Sequence, residues 1–299
     1  EELGLPRRPA TPSAGPIVIA TTDALAIDPG AIFTRQDGIK YTATAGAVIS
    51  QAGNLSVAVD AIANGSAGNS IAGTPLDITS GASGPGLDTA TAEVDTAGIV
   101  AGLDVEDDET YRQRILFRKR NPPNGGSAAD YVMWGTQVPG VTRVFVERLF
   151  NGAGTVRVFP LMDNIYPNGI PQAADIARVA GFIDTVQPAG AIVTVAAPIA
   201  SPIDVSVGGL LPFTTDVQEA IKLELAAMFL AYSRVAGIDG AISQLPYLAS
   251  PTSFSRSWIW QAVANAAGEA RCSVNGPSAD PVIAQGRIAT LGALNFAAN

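Results

Sequence analysis

Residues 16–50, PIVIATTDALAIDPGAIFTRQDGIKYTATAGAVIS, are broken by turn signals before a helical period can build. Short Val, Ile, Thr and Tyr runs are cut by Asp-Pro-Gly and Asp-Gly, and such residues suit a pleated, half-buried surface. Gln36-Asp37-Gly38 fits a hairpin turn because glycine accepts positive φ. The following stretch, NLSVAVDAIANGSAGNSIAGTPLDI, alternates at Leu55, Val57 and Val59 before Asn-Gly and Gly-Asn pairs mark turns. These patterns predict a β-rich domain over residues 17–101. The Pro-rich residues 1–16 lack periodicity and read as an extended lead-in.

Composition shifts at Gly102. A helix is expected after it and a second over 127–138, SAADYVMWGTQV, with Ser127 as cap and Asp130 completing a capping-box variant. VTRVFVERL and TVRVFPLM read as a strand hairpin around FNGAG, and PQAADIARVAGFIDTVQPAG as a helix opened by Pro171. AIVTVAAP and PIDVSVGGLL read as strands. The helix TTDVQEAIKLELAAMFLAYSRV buries Val217, Ile221, Leu225, Met228 and Tyr232 at helical spacing. SWIWQAVANAAGEARCSV reads as a helix running into a strand, and GRIATLGALNF as a last strand. The expected fold is α+β and multidomain: the N-terminal β-rich domain, then small α+β units over 102–200 and 201–299. A shift of 128 residues superimposes Ser127 on Ser255, Gly140 on Gly268, Arg143 on Arg271 and Val146 on Val274, which suggests that these units are related.

The chain has no histidine. That removes the commonest general acid/base, the commonest metal ligand and the usual partner of a catalytic Ser or Cys. Cys272 stands alone, which excludes a disulfide within the chain and a cysteine-based zinc site; it reads as a core residue. The net charge of −9, with no Lys or Arg between Lys40 and Arg112, argues against general affinity for nucleic acid or acidic membranes. Hydrophobic residues make up 47% of the sequence and charged ones 15%, as in folded chains. No apolar run has the length of a membrane span. The chain begins at Glu1 without a secretory signal pattern.

The most charged stretch is GLDVEDDETYRQRILFRKRNPP, residues 102–123. Asp104, Glu106, Asp107, Asp108 and Glu109 raise the question of a metal or glycosidase site. Such sites need carboxylates converging at a set distance, about 5 Å in a retaining glycosidase, whereas neighbours on a helix fan around its axis. A helix with Asp104 as N-cap, acids in its first turn and Arg112, Arg114, Arg118, Lys119 and Arg120 towards its end explains the pattern through the helix dipole. Asp108 and Arg112 are spaced for an i,i+4 pair, and Tyr111 and Ile115 share a face. The bases lack aromatic interleaving for nucleic acid, so Arg118, Lys119 and Arg120 are candidates for pairing with acids of a neighbouring subunit. The Gly-rich stretches lack a phosphate-loop Lys, no serine elbow is present, and Trp134, Trp258 and Trp260 sit in predicted helices as packing residues.

Residues 101–161 resemble the baseplate J-like family of contractile phage tails and related injection machines. The resemblance is carried by Asp104, Glu106, Glu109, Arg112 and Arg114, then Gly125, Gly126, Asp130, Tyr131, Trp134, Val138, Gly140 and Val141. Upstream, LPRRPATPSAGPIVI, DPGAIFTRQDGIKYTAT and VAVDAIANGSAGNSIAGTPLDI are similar to the family's β-domain. The family has a helical segment before its Pro-rich start that this sequence does not show. The resemblance implies a structural baseplate wedge protein in the tail of a virion or tailocin, made in the bacterial cytoplasm, with no catalysis and no cofactor. Its implied partners are further copies of itself, a second wedge protein, the hub and spike, and sheath-side baseplate proteins, with no nucleic acid and no membrane insertion. Attachment would be passed through it to the sheath. Two other classes compete on the residues alone: a carbohydrate-binding or adhesin module in the β-rich third, and a carboxylate-dependent cell-wall hydrolase using Glu106 and Glu109.

Overall fold

The computed structural model describes residues 4–239 and 245–298, in two units, Glu1–Lys119 and Arg120–Asn299. Residues 1–3 of the expected lead-in and 240–244 of the third segment lie outside the described residues. The first unit is built on seven strands: β1 (Ala14–Thr21), β2 (Leu25–Arg35), β3 (Lys40–Ala43), β4 (Ala47–Ile49), β5 (Gly53–Ala61), β6 (Pro75–Ser83) and β7 (Thr91–Val94). They run in the order β3-β5-β1-β7-β6-β2-β4, and β3 also pairs with β2. Six strands therefore close into a barrel and β4 hangs on β2, which removes the open edges of a flat sheet.

Alternation along the strands fills the barrel. Ile17 and Ile19 on β1, Phe33 on β2, Tyr41 on β3 and Val57 and Val59 on β5 are all at most 2% exposed. Each such side chain contributes about 1.5–3 kcal/mol on burial. Tyr41 brings a hydroxyl inward, and it donates to the Gly68 carbonyl at 2.9 Å and accepts from Arg35 at 3.0 Å. Arg35 sits at the Gln36-Asp37-Gly38 turn, where Gly38 has φ +90° as the sequence predicts. The Arg35 guanidinium holds the Asp37 carboxyl down at about 2.

The lead-in is not loose. Leu5 is 4% exposed, Thr11 bridges to Leu103, and β1 begins at Ala14 rather than after residue 16. Residues 102–119, which composition assigns to the next domain, belong to the first unit. Their charge resembles the later segment, but their hydrogen bonds run back to residues 5–11 and 66–69. Helix α1 (Asp108–Arg120) starts four residues beyond the expected cap. Asp107 caps it instead, accepting the Thr110 N–H at 2.9 Å, while Asp104 is turned to Ser66.

The second unit carries α2 (Ala128–Gly135), β8 (Arg143–Arg148), β9 (Thr155–Leu161), α3 (Ala173–Val186), β10 (Ile192–Val195) and β11 (Ile199–Leu211). These are followed by α4 (Thr215–Tyr232), β12 (Thr252–Ser253), α5 (Arg256–Asn265), β13 (Arg271–Gly276), β14 (Val282–Ile283) and β15 (Arg287–Phe296). One sheet has the order β10-β9-β8, another β13-β11-β15, and β12 pairs with β14. β9 and β10 are parallel and joined through α3, a β-α-β crossover. Gln172 caps α3, so Pro171 lies one residue before the cap and not in the first turn. On α4, Val217, Ile221, Leu225 and Met228 are buried as spacing predicts, but Tyr232 is 44% exposed and stacks on Trp258 at 4.8 Å.

The 128-residue shift has a structural counterpart. Ser127 and Ser255 both cap helices, Gly140 and Gly268 both have positive φ, and both strands start at the aligned arginines, Arg143 and Arg271. The segments 102–200 and 201–299 are not separate bodies, however. Phe145, Phe159 and Leu161 share one core with Val235, Ala249 and Ile288.

Candidate functional site

The conspicuous chemistry of the first unit is a buried carboxylate. Glu106 is 8% exposed and lies just before α1, where Asp107 begins the helix cap. Its Oε2 accepts the Arg8 backbone N–H at 3.1 Å and a guanidinium N–H of Arg114. Arg114 projects from α1 eight residues on and is itself 9% exposed; the Arg8 Nε lies 3.7 Å from Oε1. Around this centre Arg7 donates to the Glu106 carbonyl at 2.9 Å and stacks over Tyr111, whose hydroxyl donates to the Leu5 carbonyl. The cluster fastens residues 5–8 to the start of α1. It sets two guanidinium groups against the one buried carboxylate.

The other acids of the stretch point apart. Asp104 accepts the Ser66 N–H at 2.9 Å and its hydroxyl at 2.6 Å, which lowers its pKa. Glu109 pairs with Arg112 at i,i+3, and Asp108 pairs with Arg7, so the expected Asp108–Arg112 pair is not formed. Among the described residues no three His, Cys, Asp or Glu side chains converge to hold a metal ion. Arg118 is half-buried and Lys119 and Arg120 are exposed; none has an acid within ion-pair distance among the described residues.

The block DYVMWGTQVPGV is a folding device. Asp130 is 2% exposed and takes the N–H groups of Asn124, Gly126 and Ser127, plus the Ser127 hydroxyl. Burial pushes its carboxyl up, but these four donors together bring it below the usual range. Ser127 returns the bond by accepting the Asp130 N–H, so the capping box forms as the sequence predicts. Tyr131 is 1% exposed and meets the Trp134 ring edge-on at 5.0 Å. Gly140 follows at φ +91°, where a Cβ would stand 2.8 Å from Ile165 Cδ1.

The second unit holds charged clamps that sequence reasoning missed. Glu147 is fully buried in β8, accepting the Ile238 N–H at 2.7 Å and the Gln285 amide at 2.8 Å, with Arg157 at 3.5 Å. Arg148 grips Asp239 through two nitrogens at 2.8 Å, which draws the Asp239 carboxyl down. Arg143 grips Asp163 in the same way and donates to the carbonyls of Leu230 and Ser233. All three join residues 143–163 to residues 230–285. In the sequence these acids and bases are far apart, and the one available signal was the run RVFVER, which sets charge into an apolar strand. Cys272 is half-buried on β13 against the core, and burial with the nearby Glu269 pushes its thiol up to about 11.

Two family models match the chain: the Baseplate J-like protein barrel domain over residues 16–99 and the Baseplate J-like central domain over residues 123–197. Baseplate protein gp47 of Escherichia phage Mu is 35% identical over 260 residues, covering 79% of this chain and 71% of that protein. Mu-like prophage FluMu protein gp47 of Haemophilus influenzae is 32% identical over 304 residues, covering 98% of this chain and 79% of that protein. Among solved structures, a cryo-EM structure of the anti-feeding prophage baseplate aligns over 96% of this chain and 78% of that one, with a TM-score of 0.41 and 10% identity.

Proposed function

This chain belongs to the baseplate J-like family, and on that premise we propose that it is a non-enzymatic structural protein of a contractile tail's baseplate wedge. It stands in the phage tail baseplate, and its finer role in this reading is to assemble around the central hub with copies of itself and a second wedge protein. There it couples attachment to sheath contraction. The observation that carries the reading is the order of the two matches: the barrel model falls on the closed barrel of the first unit, and the central model on α2 to β10 of the second. The geometry supports it, because Glu106, Asp130, Glu147 and Asp239 each fasten one segment to another.

Tails purified from producing cells test this directly. The chain is expected to co-sediment with assembled baseplates, and its deletion to leave tails without a complete baseplate. Its absence from purified, assembled baseplates overturns the reading.

A further inference from the structure

Helix α4 buries one face, yet its opposite face is also apolar. Leu223 is 70% exposed and Leu230 is 51% exposed, and Ala226 and Ala227 lie open between them. These positions follow i, i+3, i+4 and i+7, the spacing of one helical stripe. The two leucines sit a heptad apart with small residues at the centre, which lets a second helix approach closely. One turn before Leu223 stands exposed Glu219, held only by a solvent-exposed i,i+3 pair with Lys222 at 3.3 Å that an intermolecular partner can replace at little cost. Just beyond the helix end stands exposed Arg234, with no acid in ion-pair distance among the described residues.

We propose that this stripe is a self-docking surface on which a second copy of the chain lays its own α4 antiparallel. A two-fold axis midway between Ala226 and Ala227 sets Leu223 against Leu230 of the second copy. The same axis sets Glu219 against Arg234 of the second copy. Apolar match and charge match thus share one symmetry centre, as an isologous contact requires. A parallel pairing would set Glu219 beside Glu219 and leave Arg234 beside Arg234, so charge selects the antiparallel arrangement. One helix pair falls short of the roughly 1,200 Å² of a standard interface. The free chain therefore dimerises weakly, and a larger assembly strengthens the contact by raising the effective concentration.

Sedimentation of the full chain over a concentration series tests this, together with disulfide trapping in a Cys272→Ser background. Ala227→Cys is expected to oxidise to a covalent dimer, whereas Glu224→Cys, off the stripe, is not. Leu223→Glu is expected to weaken dimerisation by about tenfold or more, with unchanged circular dichroism because the side chain is exposed. Arg234→Glu weakens it by about threefold, and adding Glu219→Arg in the same chain restores it, because a two-fold contact swaps both ends at once. A monomer at every concentration without preferential Ala227→Cys trapping overturns the proposal, as does a dimer indifferent to Leu223→Glu or a charge swap that fails to restore. The inference rests on the assembly reading for its setting alone. Baseplates that hold a chain monomeric in solution refute this contact, whereas a solution dimer absent from baseplates refutes the assembly reading.

Discussion

Glu106 has the residue type of a catalytic carboxylate and the surroundings of a rivet. Its charge is matched by Arg114 and by backbone and side-chain groups of Arg8. A buried pair of this kind adds little net stability over an apolar substitute, but breaking it from one side is severe, because the remaining charge stays desolvated. Glu106→Gln is therefore expected to destabilise the first unit by about 3 kcal/mol. Adding Arg114→Met should recover part of the loss by removing the stranded cation. Urea titration of the three proteins checks both steps, and a Glu106→Gln midpoint equal to that of the parent would refute the rivet.

At the scale of elements, the parts legible in the sequence were those built from neighbours in the chain. The Ser127–Asp130 capping box, the Gly38 turn and the buried stripe of α4 each draw on residues within a turn or two, so local pattern exposes them. Asp104 was misplaced as a cap because its partner, Ser66, lies 38 residues away. Glu147 escaped notice for a related reason: both faces of β8 are covered, and the groups that satisfy its carboxylate come from Arg157, Ile238 and Gln285. The domain boundary moved from Gly102 to Lys119 because composition changes where the charges begin, while packing follows the clamp to residues 5–8. Gly140 shows how a family motif residue acts on its element. It bends the chain from α2 towards β8 at φ +91°, with Ile165 against the place of a side chain. Gly140→Ala is expected to destabilise the second unit by about 1–3 kcal/mol through backbone strain and that contact. Thermal unfolding that matches the parent would show that the turn relaxes freely.

For the whole molecule, the uneven charge carries the argument. The net charge is −9 and no Lys or Arg lies between Lys40 and Arg112, yet Arg118, Lys119 and Arg120 stand together at the end of α1. None meets an acid among the described residues, whereas Glu106, Asp163 and Asp239 are all matched by arginines. A helix C-terminus favours such cations by about 0.3–1 kcal/mol each, which explains their presence at an end but not three in succession. We propose that assembly supplies the rest, these bases pairing with acids of a neighbouring subunit. Changing all three to Glu is expected to leave the fold intact by circular dichroism and to cost about 2 kcal/mol or more through the helix dipole, because each reversal removes an attraction and adds a repulsion. It should nonetheless sharply reduce incorporation into particles. Changing all three to Gln separates the two effects, since it removes the attraction without opposing the dipole. Its incorporation should fall between those of the parent and the Glu variant, and the parent's should weaken with added salt, as exposed ion pairs do. Equal recovery of all three proteins in pelleted particles at low and high salt would mean that the basic end faces only solvent.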